Sequence, residues 1–475
     1  MSITSSNSAA LTRREGISET VARELAAKVD GHVLLPGDSQ YDSARRVFNA
    51  MIDRRPALIL RCFSPRDVIE GVRLARQHGL PACVKGGGHS VAGTAVCDDG
   101  LMLDLSPMKG ARVNPERRVA TVQAGLTLAD IDRATQAFGL ATPTGVMSGT
   151  GLSGLALGGG LGWLNGRHGL TCDNLVGAEV VTADAELITA GAEEHDDLLW
   201  ALRGGGGNFG VVTSLRFGLY PVAYVLAGAF TYAANKATAA LRLYREFAAD
   251  CPDALTANAS LSRAQDGEVV VSIAVCYAGA LARGEELLAP LRRLGPEQET
   301  VAPMSYLDLQ RIPDPAFPSG QQHYWKSGFV TAIDDELIDV LIDGVARMPS
   351  PTSGVGLQQL HGAASRVAPT ATAFAHRGDR HDCLILSQWP EPARSPENIA
   401  WTRALFDAIQ PHLADGVYVN NLGVEDEPRI GQAYGPNYER LVAVKTRYDP
   451  LNFFAHNHNI APTPAHDAGD PASAG

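Results

Sequence analysis

Four glycine-dense segments carry the positions at which this chain could do chemistry. They are Lys85-Gly86-Gly87-Gly88-His89-Ser90, Gly149-Thr150-Gly151-Leu152-Ser153-Gly154, Gly158 to Gly162, and Gly204 to Gly210. Glycine lacks a Cβ, so backbone can come close to a ligand and aim its N–H groups at it. One such segment alone is ordinary loop chemistry. Four within about 125 residues, one of them ending in a histidine, suit a single long ligand touched at several places, such as FAD. The second segment also spells G-x-G-x-x-G, with Asp173 about 20 residues on, the pattern of a dinucleotide-binding turn. Its context argues against that reading. Thr142 to Ser148 lacks a strand's apolar run, and Leu155 to Gly162, with four more glycines, would make a poor helix.

Elements with local signals must position these segments. Ala57-Leu58-Ile59-Leu60 reads as a short strand. Ser64 and Pro65 fit the N-cap and first position of a helix that buries Val68, Val72 and Ala75 and ends at Gly79. The next strand, Pro81 to Val84, runs straight into the Gly86–Ser90 turn. A strand over Val119 to Gln123 precedes a helix capped by Thr127 with Asp130 three residues on. That helix is expected to bury Leu128, Ile131 and Phe138 and to close at Gly139. Strand-like runs return at Gly177 to Thr182 and Gly210 to Leu219, and a short helix is expected over Ser18 to Val29.

Beyond Pro221 the character changes. Segments such as Lys236 to Ala248 and Glu268 to Tyr277 carry few glycine clusters, and proline breaks at Pro313 to Pro318, Pro349 to Pro351 and Pro390 to Pro396 punctuate them. This predicts a first domain over 1–220, an α+β domain over 221–418, a closing block over 419–462 and a disordered tail over 463–475. A length of 475 residues agrees with two or three domains. The 45% hydrophobic and 19% charged content is that of a globular protein.

A formal charge of −12 argues against non-specific nucleic-acid binding, which needs a basic face. It does not bar an anionic cofactor, because backbone N–H groups can hold a diphosphate. No apolar stretch long enough to span a membrane or to form a secretory signal core is present. The seven cysteines are dispersed without a CxxC pair, which reads as reduced thiols in a cytoplasmic protein. With no HExxH or other paired-ligand spacing, no metal is expected. A small-molecule substrate is, in a monomer or homodimer.

The chain resembles the FAD-linked oxidases of the berberine bridge enzyme-like branch of the vanillyl-alcohol oxidase family. The resemblance rests on KGGGHSVAGTAVCDDGLMLDLSPM, ATPTGVMSGTGLSGLALGGGLGWLNGRHGLTCDNLVGAEVVTADAEL, DDLLWALRGGGGNFGVVTSLRF and YGPNYERLVAVKTRYDPLNFFAHNHNIAP. It covers roughly residues 40–220 and 418–462 and is loose between them. It implies a two-domain PCMH-type FAD-binding fold, with its FAD core at about 50–222 and an α+β substrate domain over the flavin. The C-terminal block would return to the FAD domain. Cofactor contacts are implied at Lys85, Gly86, Gly87, Gly88, Ser90, Gly149, Thr150, Gly151, Ser153, Gly154, Gly159, Gly160, Asp173, Asn174, Val181, Asn420 and Asn457.

His89 matches the family's flavin-linking histidine, which implies a covalent bond from a neutral imidazole nitrogen to the flavin 8α carbon. Doubly linked relatives add a cysteine about a dozen residues before the GGG of the LGGGLGW element. Here that place falls at Val146 to Ser148, with Met147 nearest, while Cys172 lies elsewhere, so a single link is expected. The implied reaction is hydride removal from a C–H next to oxygen or nitrogen, with dioxygen as acceptor and hydrogen peroxide as product. A dehydrogenase using another acceptor, or a silent flavoprotein of the same fold, would share every motif. The family's Tyr-x-Asn-Tyr segment reads Tyr418-Val419-Asn420-Asn421 here. An amide accepts no proton at neutral pH, so Asn421 cannot be a base, and Tyr418 is the candidate. Its ordinary pKa is about 10, so a nearby cation is needed, with Lys326 or His361 available and Tyr324 a further alternative. In a regular strand, 418 and 420 would share one face and 421 the other.

Overall fold

The strand-helix-strand signals between residues 57 and 85 are realised in the computed structural model, which describes residues 18–464. Leu58–Arg61 and Ala82–Lys85 are strands, and Pro65–His78 is the helix between them. Asp67 accepts the backbone N–H groups of Phe63 and Ser64 at the helix start, and that of Asp30 from the preceding segment. Gly79 takes φ +61 just past the last turn, a left-handed conformation that suits glycine. Both strands lie parallel to Leu101–Asp104, which sits between them, and His32–Leu34 pairs antiparallel at the edge. Ala82–Lys85 therefore delivers Gly86–Ser90 at the end of a buried parallel sheet.

A second sheet is antiparallel, in the order Ala111–Asn114, Val119–Gln123, Val211–Gly218, Leu175–Val181, Leu187–Ala190. In the helix Leu128–Gln136, Asp130 accepts from both the N–H and the hydroxyl of Thr127 at 2.9 and 2.8 Å. Leu128 and Ile131 are buried as expected, but Phe138 is 51% exposed. The helix stops at Gln136, so Phe138 belongs to a turn and not to the apolar face. The first helix is also shorter than expected, Glu19–Ala26. A helix does follow the G-x-G-x-x-G segment, but it covers only Leu152–Leu157 before Gly158.

The third sheet has eight strands. Its path is Gln298–Glu299, Tyr224–Tyr232, Val269–Tyr277, Leu255–Arg263, Gly354–Leu360, Arg380–Trp389, Gln322–Val330, with Ala302–Ser305 also pairing Tyr224–Tyr232. Val271, Ile273, Leu357 and Ile385 share a core with Leu241, Leu341 and Leu405 of the helices Ala237–Ala249, Asp335–Ala346 and Ser395–Ile409. Alternation turns the other side chains of these strands, including Gln358, Leu384 and Leu386, toward the glycine segments.

The C-terminal block joins the first core through Leu441, Val444, Phe454 and Ile460. Lys445, fully buried, locks it there: its Nζ donates to Asn208 O at 2.7 Å, Phe454 O at 3.1 Å and Asp449 at 2.6 Å. Asn208 also accepts the Ile460 N–H and donates to His458 O. The tail expected over 463–475 lies, from residue 465, outside the described residues.

Candidate active site

A cavity of about 390 Å³ lies between the glycine segments and the inward face of the eight-stranded sheet, within the usual size of small-molecule sites. One wall is backbone from Gly86 to Ser90, Thr150 to Gly154 and Gly206-Gly207, with Asn457 beside it. The opposite wall is side chain: Trp325, Gln358, Leu384 and Leu386, with Met147 and Phe317. Tyr418, Asn420 and Asn421 line it as well.

The walls suit a large polar cofactor such as FAD. A Cβ built on Gly154 or Gly207 meets no atom within 4 Å, so both present bare backbone to open space. Gly87 and Gly151 serve differently, since a Cβ on Gly87 would stand 2.5 Å from Gly151 Cα. Those two glycines let the first two segments touch each other. Trp325 Nε1 and Asn457 Oδ1 are buried without a partner among the described residues, which leaves a donor and an acceptor for a ligand.

His89 sits on the backbone wall with its ring stacked on Phe48, centroids 3.9 Å apart and planes 15° from parallel. Phe48 stacks in turn on His323 at 4.1 Å. The chain holds Phe48 there through its N–H to Gly88 O at 2.9 Å, and Asn49 ties the same segment to Val91 O and to both backbone groups of His323. Burial lowers the His89 pKa to about 4, so the imidazole is neutral at physiological pH, the form with a free nucleophilic nitrogen.

Tyr418 is 4% exposed. Residues 419–421 form a 3₁₀ turn, so the strand alternation expected there does not apply, and Asn421 lines the cavity together with Tyr418 and Asn420. Three donors converge on the phenolic oxygen: Gly160 N at 2.9 Å, Asn420 Nδ2 at 2.8 Å and Leu161 N at 3.4 Å. Burial pushes the Tyr418 pKa up, the three donors pull it down, and the balance stands at about 12.

Several expected site residues lie off the cavity. Lys85 turns away, donating to Ala44 O and Arg46 O, and so anchors the segment that carries Phe48. Asp173 forms a buried bidentate pair with Arg377 at 2.7 and 2.9 Å and accepts the Leu170 N–H, which occupies both its oxygens. Asn174 donates to His168 O and Leu170 O, and Val181 is buried in its strand opposite Val211. Gly149, Gly159 and Gly160 do not reach the lining either, although Gly160 positions Tyr418.

The three alternative catalytic candidates are also elsewhere. Tyr324 and Lys326 alternate with cavity-lining Trp325 and so face the far side of the sheet. Tyr324 donates to Glu425 at 2.5 Å, and Lys326 pairs with buried Asp426 at 2.7 Å. His361 packs against Gly166 near Thr256 and does not line the cavity. None of the three supplies a cation to Tyr418.

Sequence reasoning missed Phe48, Asn49 and Asp382. Asp382 is fully buried and accepts from Asn421 Nδ2 at 2.6 Å, while its other oxygen has no partner. Desolvation raises its pKa to about 7. A lone Asp in an apolar strand was the one available signal, and it does not say which face the residue takes. Cys172 is buried with its thiol pKa pushed well up, and no cysteine lines the cavity, whereas Met147 does.

Comparison with known proteins shows what the chain is similar to in family and fold. The family described as FAD binding domain matches residues 56–191, and the one described as berberine and berberine like matches 417–461. An FAD-linked oxidoreductase of Dictyostelium discoideum is 32% identical over 93% of this chain and 97% of its own length. The (R)-6-hydroxynicotine oxidase of Paenarthrobacter nicotinovorans is 31% identical over 91% and 97%. Among solved structures, 6-hydroxy-D-nicotine oxidase from Arthrobacter nicotinovorans superposes with a TM-score of 0.83 at 30% identity, covering 91% of this chain and 98% of that one. Berberine bridge enzyme from Eschscholzia californica gives a TM-score of 0.84 at 20% identity over 93% and 99%, a likeness of fold.

Proposed function

This chain belongs to the FAD-linked oxidoreductases of the berberine bridge enzyme-like family, and on that premise we propose that it is an oxidase of a small molecule with FAD singly linked through His89. When bound, FAD supplies the electron acceptor, taking hydride from a C–H next to oxygen or nitrogen and passing electrons to dioxygen to give hydrogen peroxide. The chain supplies position and a proton acceptor. Gly86 to Ser90, Thr150 to Gly154, Gly206-Gly207 and Asn457 would hold the cofactor. The neutral His89 ring, clamped by Phe48, is the nucleophile for the link.

The observation that carries the catalytic reading is the convergence of three donors on the oxygen of Tyr418 at the cavity wall. Such an oxygen is preorganised to bear negative charge. With its pKa at about 12, Tyr418 is protonated at rest, and the rate of substrate oxidation should rise toward alkaline pH. Asp382 supports a second reading, in which the carboxylate behind Asn421 receives the proton; its pKa of about 7 suits that task better.

The test has two parts. Acid-precipitated protein should remain yellow and fluorescent, and turnover should consume oxygen with equimolar peroxide. Colourless precipitate would refute the link, and turnover only with an artificial acceptor would refute the oxidase.

A further inference from the structure

The strand Gln322–Val330 ends the path of the eight-stranded sheet, so one of its edges has no strand to pair with. The first half of the chain covers that edge with a side chain. Asn49 Nδ2 donates to His323 O at 2.9 Å, and Asn49 Oδ1 accepts the His323 N–H at 3.0 Å, as a neighbouring strand would. The Ala50 N–H adds a bond to Gln321 O at 2.9 Å. The Asn49 amide also donates to Val91 O at 2.8 Å, just past His89. Asn49 is buried, so each of these bonds is costly to lose.

Three rings lie in series across this seam: His89, Phe48 and His323, with neighbouring planes 15° and 20° from parallel. His323 stands edge-on to Trp325, centroids 5.8 Å apart, and Trp325 lines the cavity. Neither ring nitrogen of His323 has a partner among the described residues, and burial lowers its pKa to about 3. It is therefore a neutral plate behind Phe48. The three residues before His89 are glycines and give its ring no side-chain wall. Its plane is set by Phe48, and that of Phe48 by His323 from the other half.

Resting on the His89 link read above, we propose that Phe48 and His323 are positioning residues for that link, so that docking of the two halves through Asn49 governs how fast it forms. The link makes a C–N bond to the flavin 8α carbon and breaks one C–H there and the imidazole N–H. The two hydrogens, with their electron pair, reduce the flavin, and dioxygen then takes them as hydrogen peroxide. An imidazole rotated off the stack would aim its nitrogen away from that carbon. Misplacement by about 1 Å costs about a hundredfold in such a step. The chain thereby links flavin efficiently only once residues 322–330 are folded onto the first half.

The purified flavoprotein should be acid-precipitated and its flavin divided between the pellet, where it is linked, and the supernatant, where it is free. The native protein should hold its flavin in the pellet. Phe48→Leu, His323→Ala and Asn49→Ala should each lower the linked-to-free ratio by about tenfold or more. Phe48→Tyr and His323→Phe keep the plates and should keep the native ratio, a rescue that a merely structural role would not produce. The ratio counts only chains that took up flavin, so it reads out even where a variant yields little folded protein. An unchanged ratio in any of the first three variants, or a ratio that His323→Phe lowers as far as His323→Ala does, would overturn the proposal. A colourless pellet from native flavin-loaded protein would instead strike the His89 reading beneath it, and the native sample alone tells the two failures apart.

Discussion

The two walls of the cavity are built by opposite means. The cofactor wall is backbone from three short segments, each contiguous in sequence, and at Gly87 and Gly151 the packing leaves no room for a side chain. The sheet wall is side chain, one residue in two from strands that lie far apart in the chain. A wall of the first kind is hard to vary without disturbing the cofactor. One of the second kind can change its lining while the ladder of hydrogen bonds stays intact. The difference teaches that the two walls answer to different constraints, one to close backbone packing and the other to the choice of side chain.

The sharpest way to break this comparison is at His89. His89→Ala should lose covalent flavin completely and keep at most dissociable FAD, read by fluorescence of acid-precipitated protein. Persistent covalent flavin would remove His89 from that role. Next in size, Tyr418→Phe should slow anaerobic flavin reduction by about 10²- to 10⁴-fold, the usual worth of a general base, with the flavin spectrum unchanged. Near-normal reduction would pass the role to Asp382.

A smaller effect tests the seam between the halves. Asp132, in the helix Leu128–Gln136, is fully buried and accepts from Gln310 Nε2 of the other half at 3.2 Å. Burial raises its pKa to about 8, far above its unfolded value. A raised carboxyl pKa means that the folded state holds the proton more tightly. Its contribution is thus full below about pH 4 and is lost as pH rises through about 8. The unfolding midpoint should fall between about pH 5 and pH 9, and Asp132→Asn should flatten that fall by about 2 to 4 °C. An equally steep fall in the variant would assign the pH dependence elsewhere, with Asp382 the next candidate.

The smallest effect is expected behind the sheet. Tyr324 is hydrogen-bonded to Glu425 and Arg403 near the surface, so Tyr324→Phe should cost less than about 1 kcal/mol and leave flavin reduction unchanged. A slowed reduction would mean that the two faces of the sheet are coupled.

Much of the cofactor wall was legible because its signals are local. A cap at Ser64, a glycine at 79 and the run Gly86 to His89 declare themselves within a few residues of where they act. Even there the sequence could not say that Lys85 and Asp173 turn away, because only their tertiary partners, Ala44 and Arg377, decide it. The faces of residues 418–421 are likewise not legible, since a 3₁₀ turn of three residues leaves no periodicity to detect.

By itself, then, the sequence determined the glycine segments, the place of His89 at the end of one of them and the α+β class, because caps, glycines and apolar alternation act over a few residues of chain. Tertiary structure alone decided that Phe48 clamps His89, that Asp382 lies behind Asn421 and that Lys326 faces away from the cavity. These relations depend on strand register and on which face of the sheet is covered. A shift of one residue in register would reverse every one of those faces without altering any local signal in the chain.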